Sequence, residues 1–310
     1  MVYTDYFLPG SDKMKLFVTG SASFLGREVL RLCRQNGIEV FGVDLVDSGH
    51  SGCSIADINS PKISEYIPSG VDAIIHLAAL SRDEDCRDQA LKCFDANVMG
   101  TLNLIEAAKL KQVKQFIFAS SEWVYDAFED GIFKSEDSLI NIANHNSEYA
   151  LSKLVSEANL RQKFMHGFCP VTILRFGIIY GPRENNWSAV EAIFNSVATQ
   201  DTVSVGSLKT GRHFIHVSDI ASAVLSAVGT EGIETLNIQG KKLITLGDII
   251  EISKELVGKN PKIIEINPDS ISLRTVSNKK AKDLINWEAK IGLKEGLRTV
   301  SEFLDYESTS

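Results

Sequence analysis

A doubly wound α/β sheet is the fold class the sequence predicts, and three observations carry it. Apolar, β-rich runs (KLFVTG, EVFGVDL, VDAIIHLA, QFIFASS, VTILRF) alternate with longer amphipathic stretches, the pattern of parallel strands joined by helical crossovers. Runs such as AIIHLA are apolar at consecutive positions, so the sheet is expected to be covered on both faces. A chain of 310 residues, 44% of them apolar, is long enough to bury such a core. In an open sheet of this kind the usable loops lie at the carboxyl ends of the strands.

The regular alternation fills the first half. After about residue 175 the rhythm loosens: YGPRENNW carries turn residues and SVGSLKTGRHF is polar. We therefore expect a sheet-forming domain over 1–175, with 213–239 returning to it through HVSDIASAVLSAV and TLNIQG. A smaller C-terminal lobe is expected over 176–310, mainly 176–212 and 240–310, covering a cleft. Because MKLFVTG starts abruptly at Met14, residues 1–13 read as an extension docked on the surface.

Composition removes several function classes. The formal charge of −8 is spread along the chain with no basic cluster, so nucleic acid is not an expected partner. No apolar run reaches membrane-spanning length and the start lacks a signal-peptide pattern, so neither membrane association nor export is expected. Five cysteines (Cys33, Cys53, Cys86, Cys93, Cys169) are an odd number without CxxC spacing. That argues against a zinc site or a disulfide framework and fits a reducing cytoplasm.

The first candidate site is VTGSASFLGREVL, where Gly20, Ser23 and Gly26 stand between a strand and a helix. A helix N-terminus here would turn its dipole toward a pyrophosphate, with Gly20 making the tight turn and Gly26 permitting close helix packing. Ser23 takes the place where a glycine is expected, so the motif alone is weak. Asp44, eighteen residues after Gly26 at the end of the second strand, is placed to bind ribose hydroxyls, and the combination predicts a Rossmann-type dinucleotide site. No Arg or Lys stands in the LVDSGHSGC segment after it, which favours NAD over NADP. Asp57 is a candidate adenine contact, a solvated loop acid being the plainer alternative.

His76-Leu77-Ala78-Ala79 closing one strand, NVMGTLNLIEAA on the next helix, and Tyr149-Ala-Leu-Ser-Lys153 together resemble the extended short-chain dehydrogenase/reductase family. More narrowly the chain looks like that family's NAD-dependent nucleotide-sugar epimerases and dehydratases, from Met14 nearly to the C-terminus. Read physically, Tyr149 and Lys153 lie four apart on one helix face. A phenol with a pKa of about 10 needs a nearby positive charge to act as a base near neutral pH. The resemblance implies that Tyr149 is this base, that Lys153 stabilises it and holds the nicotinamide ribose, and that Ser121 is the catalytic hydroxyl. It further implies an active-site hydrogen-bond network around Asn97. Phe24, Leu25, Ile58, Leu77, Ala78 and Ala79 are implied as cofactor contacts.

At the substrate end, Arg212 matches the arginine that clamps a nucleotide-sugar diphosphate, a task suited to a five-donor guanidinium. Two positions depart from the family pattern: His213 where an acid is usual, and Ile178 where an asparagine is common. Asn185, Asn186 and Trp187 could line a nucleotide pocket, with Trp187 as a stacking or packing ring. Arg274 reads either as a phosphate contact or as an exposed basic residue.

The stretch ASSEWVY separates the enzymatic readings. Dehydratases of the family place acids after the catalytic hydroxyl; here the first such position is Glu122 and the second is Trp123, which cannot exchange a proton. The expected function is therefore an NAD-dependent epimerase working through a 4-keto sugar, serving surface-polysaccharide or other carbohydrate biosynthesis, with Glu122 a candidate catalytic or substrate-binding residue. A 4,6-dehydratase or keto-reductase is the nearest alternative; a non-catalytic dinucleotide-binding sensor is the alternative from another class. A homodimer through the NVMGTLNLIEAA helix and the Tyr149 helix is implied by the resemblance.

Overall fold

The computed structural model describes residues 13–126, 128 and 132–306; the N-terminal extension expected from the sequence lies, apart from Lys13, outside them. Seven strands form the main sheet: β1 (Lys15–Thr19), β2 (Glu39–Asp44), β3 (Cys53–Ile55), β4 (Ala73–His76), β5 (Phe116–Ser121), β6 (Val171–Phe176) and β7 (Ile233–Ile238). Their order is β7-β6-β5-β4-β1-β2-β3, and β1 pairs in parallel with both β2 and β4. The chain thus builds outward from β1 to β3, then restarts on the other side at β4. That reversal makes the carboxyl ends of β1 and β4 the topological switch point, where a ligand is expected.

Strands β4, β5 and β6 are buried at every position, in keeping with their continuously apolar runs. One cluster gathers Phe17 and Ile74 from the sheet, Phe116 and Phe118 from β5, and Leu104, Ile105 and Leu160 from helices. The helices of this half are α1 (Phe24–Gln35), α2 (Asp83–Cys86), α3 (Ala90–Phe94), α4 (Gly100–Leu110) and α5 (Glu148–Met165). Between α3 and α4 the helix passes through a π turn, Asp95–Met99.

Two compact units are formed. The first takes in the described residues of Met1–Asp126, Leu139–Arg175 and Ala221–Leu236, the second those of Ala127–Ser138, Phe176–Ile220 and Asn237–Ser310. The second unit has its own core of Phe194, Val197, Ile249, Ile250, Leu297 and Val300. Helices Ala189–Thr199 and Leu246–Val257 in it both start at capping boxes, Ser188 with Glu191 and Thr245 with Asp248.

One expectation is corrected. The odd cysteine count argues against a disulfide framework, yet the structure joins Cys86 to Cys93, with Cα atoms 5.1 Å apart. An odd count excludes only complete pairing, and the turn from α2 into α3 brings these two side chains together while Cys33, Cys53 and Cys169 stay free. Among the described residues no helix is long and apolar enough to cross a membrane.

Candidate active site

The turn after β1 has the geometry its glycines suggest. Gly20 has φ +73°, and a Cβ there would stand 2.8 Å from the Ala78 backbone nitrogen. A Cβ on Gly26 would stand 2.1 Å from the Gly20 carbonyl oxygen, so α1 can approach the turn only as glycine. Ser23 caps α1: its Oγ accepts from the Gly26 N–H at 3.0 Å, which explains a serine at this position. Phe24 and Leu25 fill the first turn behind it, half-buried and buried respectively.

Asp44 closes β2 and its Oδ2 accepts from the Ala22 N–H at 2.9 Å, placing the acid beside the glycine-rich turn. Arg27 reaches the same loop from α1, donating to the Ala22 and Ser48 carbonyls, each at 2.9 Å. A scan of the loop's own residues misses this cation. Asp57 is exposed and accepts from the Asn59 N–H at 2.8 Å, the local turn of a solvated acid. Ile58 is buried under α4, where a Cβ on Gly100 would meet its Cδ1 at 2.6 Å.

His76 links the two sides of the switch point. Thr101 donates to the Asn97 carbonyl at 2.6 Å, so its oxygen is left to accept from His76 Nε2–H at 2.9 Å. The Nδ1 atom then accepts from the Thr19 hydroxyl at 2.7 Å, while Thr19 accepts from the Ala78 N–H at 3.3 Å. Burial, and after it the charge of Lys153, lowers the imidazole pKa to about 3, so His76 is a neutral relay. Leu77, Ala78 and Ala79 follow it as a half-buried loop.

The residues expected to transfer the proton lie beside His76. Ser147 caps α5, its Oγ accepting from the Ala150 N–H, which sets Tyr149 and Lys153 on successive turns. Tyr149 and Ser121 are both buried here, and Lys153 Nζ lies 5.8 Å from the Tyr149 ring centroid. Lys153 Nζ also donates to the Ala119 carbonyl at 2.9 Å. Asn97, in the π turn, accepts from Leu80 N–H at 2.7 Å and donates to Leu80 O at 3.0 Å and Ser152 Oγ at 2.9 Å. Burial pushes the Tyr149 phenol up to about 12, opposed by its hydrogen bond with Ser121. Burial lowers the Lys153 ammonium to about 8, opposed by the charge of Glu157.

A family model described as the NAD dependent epimerase/dehydratase family matches residues 16–238. The chain belongs to that family. It is 28% identical over 309 residues to a UDP-glucuronate 4-epimerase of Thermodesulfobacterium geofontis, covering 92% of this chain and 94% of the relative. It is 26% identical over 308 residues to UDP-glucuronic acid decarboxylase 1 of Arabidopsis thaliana, covering 95% and 71%. The solved complex of MoeE5 with UDP-glucuronic acid and NAD matches with a TM-score of 0.83 at 26% identity, covering 94% and 99%. The fold class and the assignment to NAD-dependent, nucleotide-sugar epimerase-type enzymes are thereby met.

Within this epimerase/dehydratase chain, Glu122 is fully buried in the short turn Glu122–Val124 and Trp123 is half-buried. Trp123 packs on the cluster of Tyr149, Cys86 and Cys93. In the second unit, Arg212 donates to the carbonyls of Gly211 at 2.7 Å and Ser272 at 2.6 Å, and to Ser272 Oγ at 3.1 Å. Trp187 ties its indole N–H to the Arg183 carbonyl at 2.9 Å, beside exposed Asn185 and Asn186. Arg274 is half-buried with its guanidinium 5.4 Å from the Phe128 ring centroid. His213 is buried with Nδ1 2.9 Å from the Gly240 carbonyl; a carbonyl can only accept, so Nδ1 carries the proton.

Sequence reasoning misses the relay partners Thr19 and Thr101, the Asn97 partner Ser152, and the buried pair Glu157 and Arg175. The last pair has a signal: Arg175 is a charged residue inside VTILRF, a strand read as fully covered.

Proposed function

We propose that this enzyme is an NAD-dependent 4-epimerase of a nucleoside-diphosphate sugar. The observation that carries the reading is the buried grouping of Ser121, Tyr149 and Lys153, with Lys153 Nζ 5.8 Å from the Tyr149 ring centroid and on the same helix face. The glycine cradle fits a dinucleotide, because the backbone of Gly20 and Gly26 packs where any Cβ would clash, at the N-terminus of a twelve-residue helix. NAD, when bound, accepts hydride from the sugar carbon and gives it back.

The chain's own residues manage the proton. Tyr149 takes the proton of the sugar 4-hydroxyl, with Ser121 holding that oxygen, and the Lys153 charge favours the phenolate. After the keto sugar turns, Tyr149 returns the proton to the opposite configuration. Asn97 fixes the Leu80 segment and Ser152 around this face. Asp44 would hold ribose hydroxyls, which supports NAD over NADP, while nearby Arg27 directs its Nε and Nη1 to the Ala22 and Ser48 carbonyls. Phe24, Leu25, Ile58, Leu77, Ala78 and Ala79 would form the rest of the cofactor cradle, with Asp57 at its adenine end. Arg212 and Trp187 would bind the nucleotide part of the substrate, and Glu122 would contact the sugar. Trp123, at the second acid position, speaks against the dehydratase alternative. A homodimer through α4 and α5 is supported by exposed Met99, Leu110, Val155 and Met165 on or beside those helices. A cytoplasmic role in carbohydrate biosynthesis fits the substrate class.

The test is a panel of UDP-, dTDP-, GDP- and CDP-sugars followed by NMR in deuterated water. A C4-inverted product without deuterium at C5 is expected. A 4-keto-6-deoxy product carrying solvent deuterium would overturn the epimerase reading.

A further inference from the structure

A buried ion pair stands behind the proton-transfer face and touches both ends of the segment that carries Ser121. Glu157 is on α5, one turn past Lys153 and two past Tyr149, so all three share a helix face. Its Oε1 accepts from the Ser120 hydroxyl at 2.6 Å and from Arg175 Nε at 3.0 Å, and its Oε2 accepts from Arg175 Nη2 at 2.7 Å. Arg175 then donates from Nη1 to the Tyr125 hydroxyl at 3.1 Å, with its guanidinium 5.0 Å from that ring centroid. Ser120 immediately precedes Ser121, and Tyr125 immediately follows the Glu122–Val124 turn. Glu157 and Arg175 are each 3% exposed.

Resting on the reading of Ser121, Tyr149 and Lys153 given above, we propose that Glu157 is a positioning residue. Through Ser120 and the Arg175–Tyr125 bridge it fixes the segment from Ser121 to Trp123 against the Tyr149–Lys153 face of α5. The geometry favours this over a purely stabilising role. A bidentate pair is directional, and here one further bond from each partner ends on a flank of the same short catalytic segment. Buried ion pairs contribute little net stability compared with apolar packing, but they can hold a unique geometry where one is needed. An error of about 1 Å in such a constellation can cost about a hundredfold in rate.

Glu157 also acts on Lys153 by charge. The groups facing this pair are Arg175 from β6, Arg161 one turn on along α5 at 3.6 Å, Tyr149 on α5, Tyr125 after β5, and neutral His76 from β4. Among them Glu157 is the carboxylate that raises Lys153, against the burial that lowers it.

Two mild variants test the positioning without leaving Arg175 unpaired. Ser120→Ala and Tyr125→Phe each remove one link and keep the ion pair, so folding is expected to survive. Each should lower kcat about tenfold with the Kd for NAD unchanged, and together about a hundredfold. A third measurement does not depend on turnover: the Nζ resonance of Lys153, in protein labelled with 15N-lysine, should titrate at lower pH in Glu157→Gln than in the wild type. Wild-type kcat in the double variant, or an unmoved Lys153 titration in a folded Glu157→Gln protein, would overturn the inference. If the wild type converts no nucleotide sugar, the functional reading fails, and the Lys153 titration still decides the role of Glu157.

Discussion

The two ends of the predicted site are built differently. In the first unit the residues singled out from sequence gather about a common helix: Tyr149 and Lys153 share a face of α5, with Lys153 Nζ 5.8 Å from the Tyr149 ring, and Asn97 is tied to Ser152, between them on α5. In the second unit they are tied to backbone and hydroxyl groups of that unit instead of to one another: Arg212 to Gly211 and, 60 residues on, Ser272, and Trp187 to Arg183. Proton transfer requires side chains to be preorganised against each other, whereas a ligand-binding side chain can be held singly by the backbone around it. The departures from the family pattern at the substrate end, Ile178 and His213, both fall in the second unit, while Ser23 and Trp123 depart from it in the first.

The contrast rests first on Tyr149. Tyr149→Phe keeps the ring and loses the proton acceptor, so kcat should fall by about 10² to 10⁴ while NAD affinity by calorimetry stays the same. Turnover near wild type would remove the first unit's claim to the chemistry. The second unit is tested by Arg212→Ala, which should raise KM for the nucleotide sugar by about ten- to a hundredfold, the value of a charge-assisted hydrogen bond, with kcat little changed. A fall in Tm with KM unchanged would instead make Arg212 a staple for Ser272.

Acid probes the first unit from another side. His76 has its folded pKa lowered to about 3, below the value of about 6.5 for an unfolded chain, so the folded state binds fewer protons. The stability this represents is present above about pH 6.5 and is lost as pH falls through that value toward 3. Between about pH 7 and 5 the share from His76 is about 2 kcal/mol, read as a lower urea midpoint. The His76 ring nitrogens should show no titration over the same range, with the proton on Nε2. The smallest effect is expected at Glu122: Glu122→Gln keeps its size and should leave turnover within a few-fold of wild type, with the product C4-inverted. Loss of elimination alone, with enzyme-bound NADH accumulating, would instead assign Glu122 the acid's role.

The sheet is legible in the sequence because its strands are continuously apolar, a pattern that survives without any partner being known. Gly20 and Gly26 are legible for a similar reason, since their backbone demands are local. Ser23 reads as a weakness of the motif and is a helix cap. His76 enters only as part of a resemblance; its role depends on Thr19 and Thr101, 57 and 25 residues away along the chain, and no local pattern reports such a pairing. Asp57 illustrates the opposite case, a side chain whose hydrogen bond with Asn59, two residues on, is the kind a local pattern reports. The Cys86–Cys93 bond escapes because spacing rules describe metal sites and secreted frameworks, not two short helices folded onto each other.

The π turn at Asp95–Met99 is a matter of phase. A π turn holds one residue more than an α turn, so it advances the helix by roughly 100° relative to an uninterrupted one. Asn97 lies within that widened turn, and Gly100 and Thr101 enter α4 on the rotated setting that brings them over Ile58 and His76. A single-residue deletion between Asp95 and Met99 that closed this turn to an α turn would leave the later side chains of α4 on their present settings, and the loss would fall on the turn itself, where Asn97 meets Leu80 and Ser152. In this family member one extra residue in a helix turn lets Asn97 serve Leu80 and Ser152 while Thr101, at the start of α4, still meets His76.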